Sequence, residues 1–220
     1  MLVSSLGAAG PNEKANGLLS ESDPCRPVSA YGRSKLKAEE IARTYTAQVP
    51  ITIVRPSAVY GPRDTSILRQ FQTAHRSGKI LQVGPGPKSL SLAHVQDIAN
   101  GIYQAGLSAT SVNETYFLAS EKPYSLEDIQ VALEQCMGKR LRISRVPGIV
   151  VQGLMLYADV LSKCFGKDVL LNRDRLQTLS YPRWDCDISK AHRDFGYQPS
   201  HSLSDGLRET YDWYREQGWL

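Results

Sequence analysis

The chain is short of cysteine, has no long apolar run and shows no concentration of charge of one sign. Its four cysteines, Cys25, Cys136, Cys164 and Cys186, form no Cys-x-x-Cys pair, and no histidine stands at finger spacing from them. Neither a disulfide framework nor a zinc finger is expected, which suits a reduced, cytoplasmic protein without a metal site. No basic segment followed by an apolar core opens the sequence, so no signal peptide is evident. The most apolar stretch, residues 148–161, has 14 residues and contains Asp159. A bilayer crossing needs ~20, so this stretch is expected to be a buried helix and no transmembrane segment is expected. The 26 basic and 22 acidic residues leave a net charge of +4. They are dispersed along the chain, which argues against a nucleic-acid surface.

What is present is an alternation of short β-branched runs with helical patterns. With 220 residues and 41% hydrophobic content, one large domain or two small ones can bury a core. Residues 1–5 read as the end of a buried strand and residues 11–28, rich in Asn, Gly, Ser and Pro, as a loop. Residues 29–48 read as a helix, with Tyr31, Ala38, Ile41, Ala42 and Tyr45 at helical intervals. Strands are expected at 51–54, 80–83, 115–118 and 141–146, and helices at 66–76 and 95–107. Gly84-Pro85-Gly86-Pro87 reads as a turn, and Ser125 with Asp128 as the cap of a helix ending near Gly138. The remainder is expected to be helical, apart from a loop at 180–187, and to close on an amphipathic helix from Leu203. Strands alternating with helices imply a parallel sheet.

The chemistry concentrates in Tyr31-Gly32-Arg33-Ser34-Lys35, with Ser4 and Ser5 some 26 residues upstream. Four residues apart on a helix is one face, so the phenol and the ammonium share a space. A cation held near a phenol favours the phenolate, which turns a poor base into a usable proton donor or acceptor. A serine hydroxyl brought to the same place could hold the oxygen of an alcohol or ketone.

Further motifs follow in order: Ile51-Thr52-Ile53-Val54-Arg55-Pro56, then Val59-Tyr60-Gly61-Pro62-Arg63-Asp64, then His94-Val95-Gln96-Asp97. Together with Tyr31 and Lys35 they make the chain resemble the extended short-chain dehydrogenase/reductase family, the NAD-dependent epimerase/dehydratase group. The resemblance runs from Val3 to the C-terminus. It implies an α/β fold: the C-terminal portion of a doubly wound parallel sheet, with strands around Val3, Ile53 and Phe117, plus a smaller, mostly helical substrate lobe. Residues 1–120 would form a partial NAD(P)-binding domain, with 64–88 contributing to the lobe, and residues 121–220 the rest of that lobe. That family opens with a glycine-rich turn holding the cofactor pyrophosphate. Gly7-Ala8-Ala9-Gly10 is not such a turn, so the chain is expected to begin near the middle of the nucleotide-binding domain.

The resemblance assigns Ser5 as the catalytic hydroxyl, with Ser4 as the fallback because adjacent strand residues face opposite ways. Tyr31 would exchange a proton with the substrate oxygen, and Lys35 would bond the nicotinamide ribose. Pro56, Ser57, Ala58 and Val59 would line the nicotinamide end of the pocket. The cofactor implied by the resemblance is NAD or NADP, and the residue that selects between them would belong to the glycine-rich half. Arg55 reads as structural and in need of a partner, Asp97 as an anchor of the helix that follows it, and His94 as a packed histidine. Trp184, Tyr211, Trp213 and Tyr214 have core spacing.

Two departures bear on the substrate, a small molecule. The nucleotide-sugar branch commonly carries Asn where this chain has Ala58, and Arg where it has Leu90. Losing a guanidinium removes a bidentate phosphate grip, although Lys88 or Arg183 could replace it. The Arg-Pro-x-x-Val-Tyr-Gly-Pro-x-Asp pattern looks more like the 3β-hydroxysteroid dehydrogenase branch. An oxidoreductase acting on an apolar secondary alcohol or ketone is therefore the first expectation, and a nucleotide-sugar epimerase or dehydratase the second. The third is a truncated, non-catalytic remnant whose sheet exposes an unpaired edge. Homodimerisation is left open.

Overall fold

A computed structural model of the chain describes residues 1–84, 86–147, 149–151, 153 and 173–220. Most of the apolar stretch at 148–161, and Pro85 of the expected turn, therefore lie outside the described residues. In chain order the first described elements are β1 (Leu2–Val3), α1 (Leu6–Ala9), α2 (Ala30–Arg43), β2 (Ile53–Pro56), β3 (Ala58–Tyr60) and α3 (Leu68–Ser77). Then come β4 (Lys79–Val83), β5 (Ser89–Leu90), β6 (Leu92–His94), α4 (Val95–Leu107), β7 (Thr115–Leu118) and α5 (Leu126–Met137). The chain closes with β8 (Arg142–Val146), α6 (Arg173–Ser180), β9 (Arg183–Trp184), α7 (Ser189–Phe195) and α8 (Leu203–Glu216).

The fold is α/β with parallel strands. β2 lies between β1 and β7, with Val3 beside Val54 and Val54 beside Tyr116. All four residues of β2 are buried, because helical crossovers cover both faces of such a strand. Strand ends at Val3, Pro56 and Leu118 thus point the same way, and the loops after β1 and β2 leave from that edge. Three further parallel pairs, β3–β6, β4–β8 and β5–β9, flank this sheet.

Two apolar clusters hold the molecule together. Val54, Phe117, Leu118, Ile98, Ile188 and Tyr197 lie in the cluster around the three-stranded sheet. Phe71, Ile80, Leu133, Leu141, Leu207 and Tyr214 lie in the other. The expected core aromatics belong to these clusters: Tyr211 and Tyr214 are buried, and Trp213 and Trp184 pack against them. The cap of α5 is a full capping box between Ser125 and Asp128, and Gly138 ends that helix in the left-handed region. No helix among the described residues is long and apolar enough to cross a membrane.

The structure corrects several expectations. The helix expected to reach Gln48 ends at Arg43, and its apolar stripe does not pack: Tyr31, Ile41 and Tyr45 are each more than half exposed. The face that is buried carries Gly32 and Glu39 instead. Helical spacing names a stripe, but a buried charge on the neighbouring strand decides which stripe turns inward. Asp97 does not anchor its own helix. Its carboxylate accepts from Ser200 N and Oγ and from His201 N, fixing the turn before α8. β3, β5, β6 and β9 are additions to the expected strands, since two or three residues show no measurable alternation.

Candidate functional site

The site is assembled where α2 crosses α1. Ser5, in extended backbone, accepts from Gly7 N–H at 3.1 Å and so caps α1. Ser29 caps α2 in the same way through Gly32 N–H at 3.0 Å. The Asp174 carboxylate adds to that cap, accepting from Ala30 N–H at 2.7 Å and Tyr31 N–H at 3.3 Å, where the helix dipole favours negative charge. A Cβ on Gly32 would lie 2.2 Å from the Gly7 carbonyl oxygen, so only glycine allows the two segments to approach this closely.

That approach sets the geometry of the expected residues. A Cβ on Gly7 would sit 3.4 Å from Ser5 Oγ and 3.7 Å from the Tyr31 ring. The serine hydroxyl and the tyrosine ring thus both border one small gap beside Gly7. Lys35 Nζ lies 5.8 Å from the Tyr31 ring centroid and donates to the Val3 carbonyl at 3.2 Å. Ser5, Tyr31 and Lys35 are therefore brought together at the carboxyl end of β1, where doubly wound sheets place their ligands. Ser4 is not available as the fallback, because its hydroxyl donates to Glu39 Oε1 at 2.5 Å.

The nicotinamide-end candidates continue β2. Pro56 and Ser57 are buried, Val59 is half-buried and Ala58 is exposed. Ser57 N–H donates to the Leu118 carbonyl at 2.9 Å, while its buried Oγ has no partner among the described residues. Of the alternative phosphate grips, Lys88 is buried and donates to the carbonyls of Leu179, Ser180 and Tyr181. Arg183 is held by Asp185 and by the carbonyls of Lys14 and Gly17.

Behind the site lies a residue that sequence reasoning misses. Glu39, wholly buried, accepts from Arg55 Nε at 2.9 Å, Arg55 Nη2 at 2.7 Å, Arg43 Nη2 at 3.0 Å and Ser4 Oγ. Burial pushes its carboxyl up, but the Arg55 and Ser4 hydrogen bonds outweigh that and hold it below the ordinary range. Glu39 is the partner that Arg55 demands. The demand is readable in the sequence, but the residue that meets it is not.

A second polar centre sits at the carboxyl end of β6. His94 is 2% exposed, and among the described residues neither of its ring nitrogens has a hydrogen-bond partner. Its ring lies 4.1 Å from that of His201, centroid to centroid, and its Nε2 is 3.6 Å from Glu209 Oε2 on α8. Burial, and the neighbouring His201 after it, lower the His94 pKa against the pull of Glu209 and Asp97. A groove of about 450 Å³ lined by Glu21, Glu114, Lys190 and Arg193 lies elsewhere, beside the amino end of β7. That is the end of the strands opposite to the one where such sheets bind ligands.

Comparison with known proteins agrees with this architecture. The profile of the NAD dependent epimerase/dehydratase family matches residues 1–119. The chain is 30% identical over 224 residues to ceramide reductase of Caulobacter vibrioides, covering 100% of this chain and 63% of that protein. It is 26% identical over 194 residues to an N-acetyl-α-D-glucosaminyl-diphospho-undecaprenol 4-epimerase of Escherichia coli O157:H7, covering 86% and 58%. A solved structure of UDP-glucuronic acid 4-epimerase from Bacillus cereus, with UDP-glucuronic acid and NAD, superposes with a TM-score of 0.74 at 23% identity, covering 98% and 60%. The chain thus spans about three fifths of the length of these proteins.

Proposed function

This chain belongs to the NAD-dependent epimerase/dehydratase family, and on that premise we propose that it carries the acid–base part of a hydride-transfer site for a secondary alcohol or ketone. The observation that carries the reading is the gap at Gly7, bordered by Ser5 Oγ and the Tyr31 ring, with Lys35 beside the ring. In this reading Ser5 donates a hydrogen bond to the substrate oxygen and Tyr31 moves a proton at that same oxygen. Lys35 holds the ammonium that favours the ionised phenol, and it reaches the nicotinamide ribose. NAD, when bound, supplies the acceptor or donor of the hydride.

The residues present suit the nicotinamide end of that cofactor. Ser57 offers a buried hydroxyl without a partner among the described residues at the end of β2, and Pro56, Ala58 and Val59 continue the same wall. No Gly-x-Gly-x-x-Gly occurs in residues 1–220, so these residues do not include a pyrophosphate grip of that type. The described residues of the lobe expected at 64–88 and 121–220 would close over the substrate.

For the substrate, an apolar alcohol or ketone is favoured. Ala58 and Leu90 are apolar where the nucleotide-sugar branch is polar, and Lys88 and Arg183 are already engaged by backbone carbonyls and Asp185. The Caulobacter relative, named as a reductase of ceramide, supports this reading. The Escherichia relative, named as a 4-epimerase of a diphospho-sugar lipid, supports nucleotide-sugar or glycolipid epimerisation as the second reading.

The test uses residues 1–220 joined to the portion of the Caulobacter relative that this chain does not match. NAD(H)-dependent turnover of long-chain alcohols or ketones is expected, with UDP- and GDP-sugars inert. Turnover of the sugars alone reverses the ranking. Turnover that survives Tyr31→Phe ends the site assignment.

A further inference from the structure

We propose that His94, His201 and Glu209 form a binding site for a divalent transition-metal ion of the zinc type, separate from the Ser5–Tyr31–Lys35 cluster. One ligand atom from each residue lies within 4.8 Å of the other two. A tetrahedral zinc ion with bonds of ~2.0–2.2 Å holds its ligands roughly 3.4 Å apart. Closing that difference takes up to about 1.4 Å of movement, and His94 Nε2 and Glu209 Oε2, 3.6 Å apart, already stand near that spacing. The Glu209 side chain, 53% exposed on α8, is free to adjust toward the two rings.

His94 carries the argument. A neutral imidazole owns one N–H donor and one lone pair, and native proteins leave few such buried atoms unpaired. Here both nitrogens are buried and, among the described residues, unpaired. Glu209 Oε2, at 3.6 Å from Nε2, is beyond hydrogen-bond range. A histidine packed only for its shape would be expected to direct its N–H at a carbonyl. This one sets Nε2 at 3.6 Å from a carboxylate and packs its ring against a second imidazole.

His201 is held as metal-binding histidines are held. Its Nδ1 meets Asp97 Oδ1 at 2.8 Å, which fixes the ring and leaves Nε2 as the free nitrogen. A carboxylate behind a ligating imidazole sets its tautomer and raises its basicity. Asp97 is itself buried and engaged by Ser200 and the His201 backbone, so it orients the ring and does not ligate.

Two imidazoles and one carboxylate suit Zn²⁺, or Co²⁺ and Ni²⁺ in its place. They do not suit Ca²⁺ or Mg²⁺, which take oxygen. A fourth position would be left to water. The three ligands come from the end of β6, the turn before α8 and α8 itself. An ion there would clamp the last helix to the β3–β6 pair.

Cobalt titration of the EDTA-treated 220-residue chain tests this. One equivalent is expected, with the intense visible absorption of tetrahedral Co²⁺, bleached by Zn²⁺. Zn²⁺ is expected to raise Tm by several degrees, reversibly with EDTA. Glu209→Gln and His201→Gln should each weaken binding tenfold or more, with folding checked by circular dichroism. Glu209, being exposed, leaves the fold intact in that variant. A flat visible spectrum with no zinc-dependent Tm shift overturns the site. So does binding that survives both substitutions or shows a thiolate charge-transfer band, because the ion then sits on a cysteine or elsewhere.

Discussion

The exposed flank of α2 and its buried side, adjacent on the helix, differ in nearly every physical respect. The outer face carries Tyr31, which is 55% exposed, and Lys35, half-buried with one bond to a strand carbonyl. The inner face carries Glu39, with no exposed surface and both carboxylate oxygens bonded by cations. A buried charge is tolerated only when its partners are complete, so Glu39 is committed to stability. An exposed phenol with an ammonium at its flank is free to meet another molecule. Function and stability thus sit on one helix within a quarter turn of each other, Tyr31 and Lys35 on its exposed flank and Glu39, four residues beyond Lys35, on the side turned to the sheet.

The largest expected effect is on the outer face. In the joined protein, Tyr31→Phe should lower turnover by ~10²–10⁴ while stability changes by less than about 0.5 kcal/mol, as read by steady-state rates beside urea melts. A variant that keeps its rate, or loses its fold, would erase the division of labour. The inner face comes next. Glu39→Ala leaves Arg55 buried without its carboxylate and should destabilise by ~3–5 kcal/mol. A loss within the ordinary surface range would mean that water replaces the partner. Between the faces lies the contact that aligns them. Gly32→Ala drives a methyl into the Gly7 carbonyl and should cost about 1–3 kcal/mol. It should also cut turnover, because the gap between Ser5 and Tyr31 widens. Unchanged activity in that variant would show that the crossing does not set the site.

The smallest effect is the pH dependence of stability. His94, faced by His201, Glu209 and Asp97, has its pKa lowered in the fold. Its contribution is complete above the unfolded value of ~6.5 and is lost as pH falls through the lower folded value. Glu39 and Asp97 are also lowered, Glu39 by Arg55 and Ser4 against burial, Asp97 by His201 and Ser200 against burial. Their contributions are complete above about 4.3 and are lost further down. Glu21, raised by burial, acts with the opposite sign. Urea melts across pH 3–8 should show a shallow decline below ~6.5 and a steeper one below ~4. Glu39→Gln should flatten only the lower one.

Much of this molecule is legible in its amino-acid sequence. The three sheet strands, the cap at Ser125 and the stop at Gly138 follow from β-branched runs, capping chemistry and glycine's access to positive φ. The Tyr31–Lys35 pair follows from four-residue spacing, and the need of Arg55 for a partner from its place on a buried strand. The orientation of α2 is not legible. Its apolar residues favour one stripe, and only the position of Arg55 shows why Glu39 turns inward instead. Sequence ties Asp97 to its own helix because it displays near neighbours, whereas the bonds of that carboxylate run to residues 200 and 201.

Local rules therefore determine which segments become helix or strand and which residue types can do acid–base work. They act over a few residues, through backbone preference and side-chain period. What only the tertiary structure decided were the meetings between distant residues: Gly7 with Gly32, Ser4 with Glu39, His94 with His201 and Glu209. Those depend on how close two backbones approach and on which buried charges must be paired. Both are properties of the packed chain, and no window of the sequence contains them.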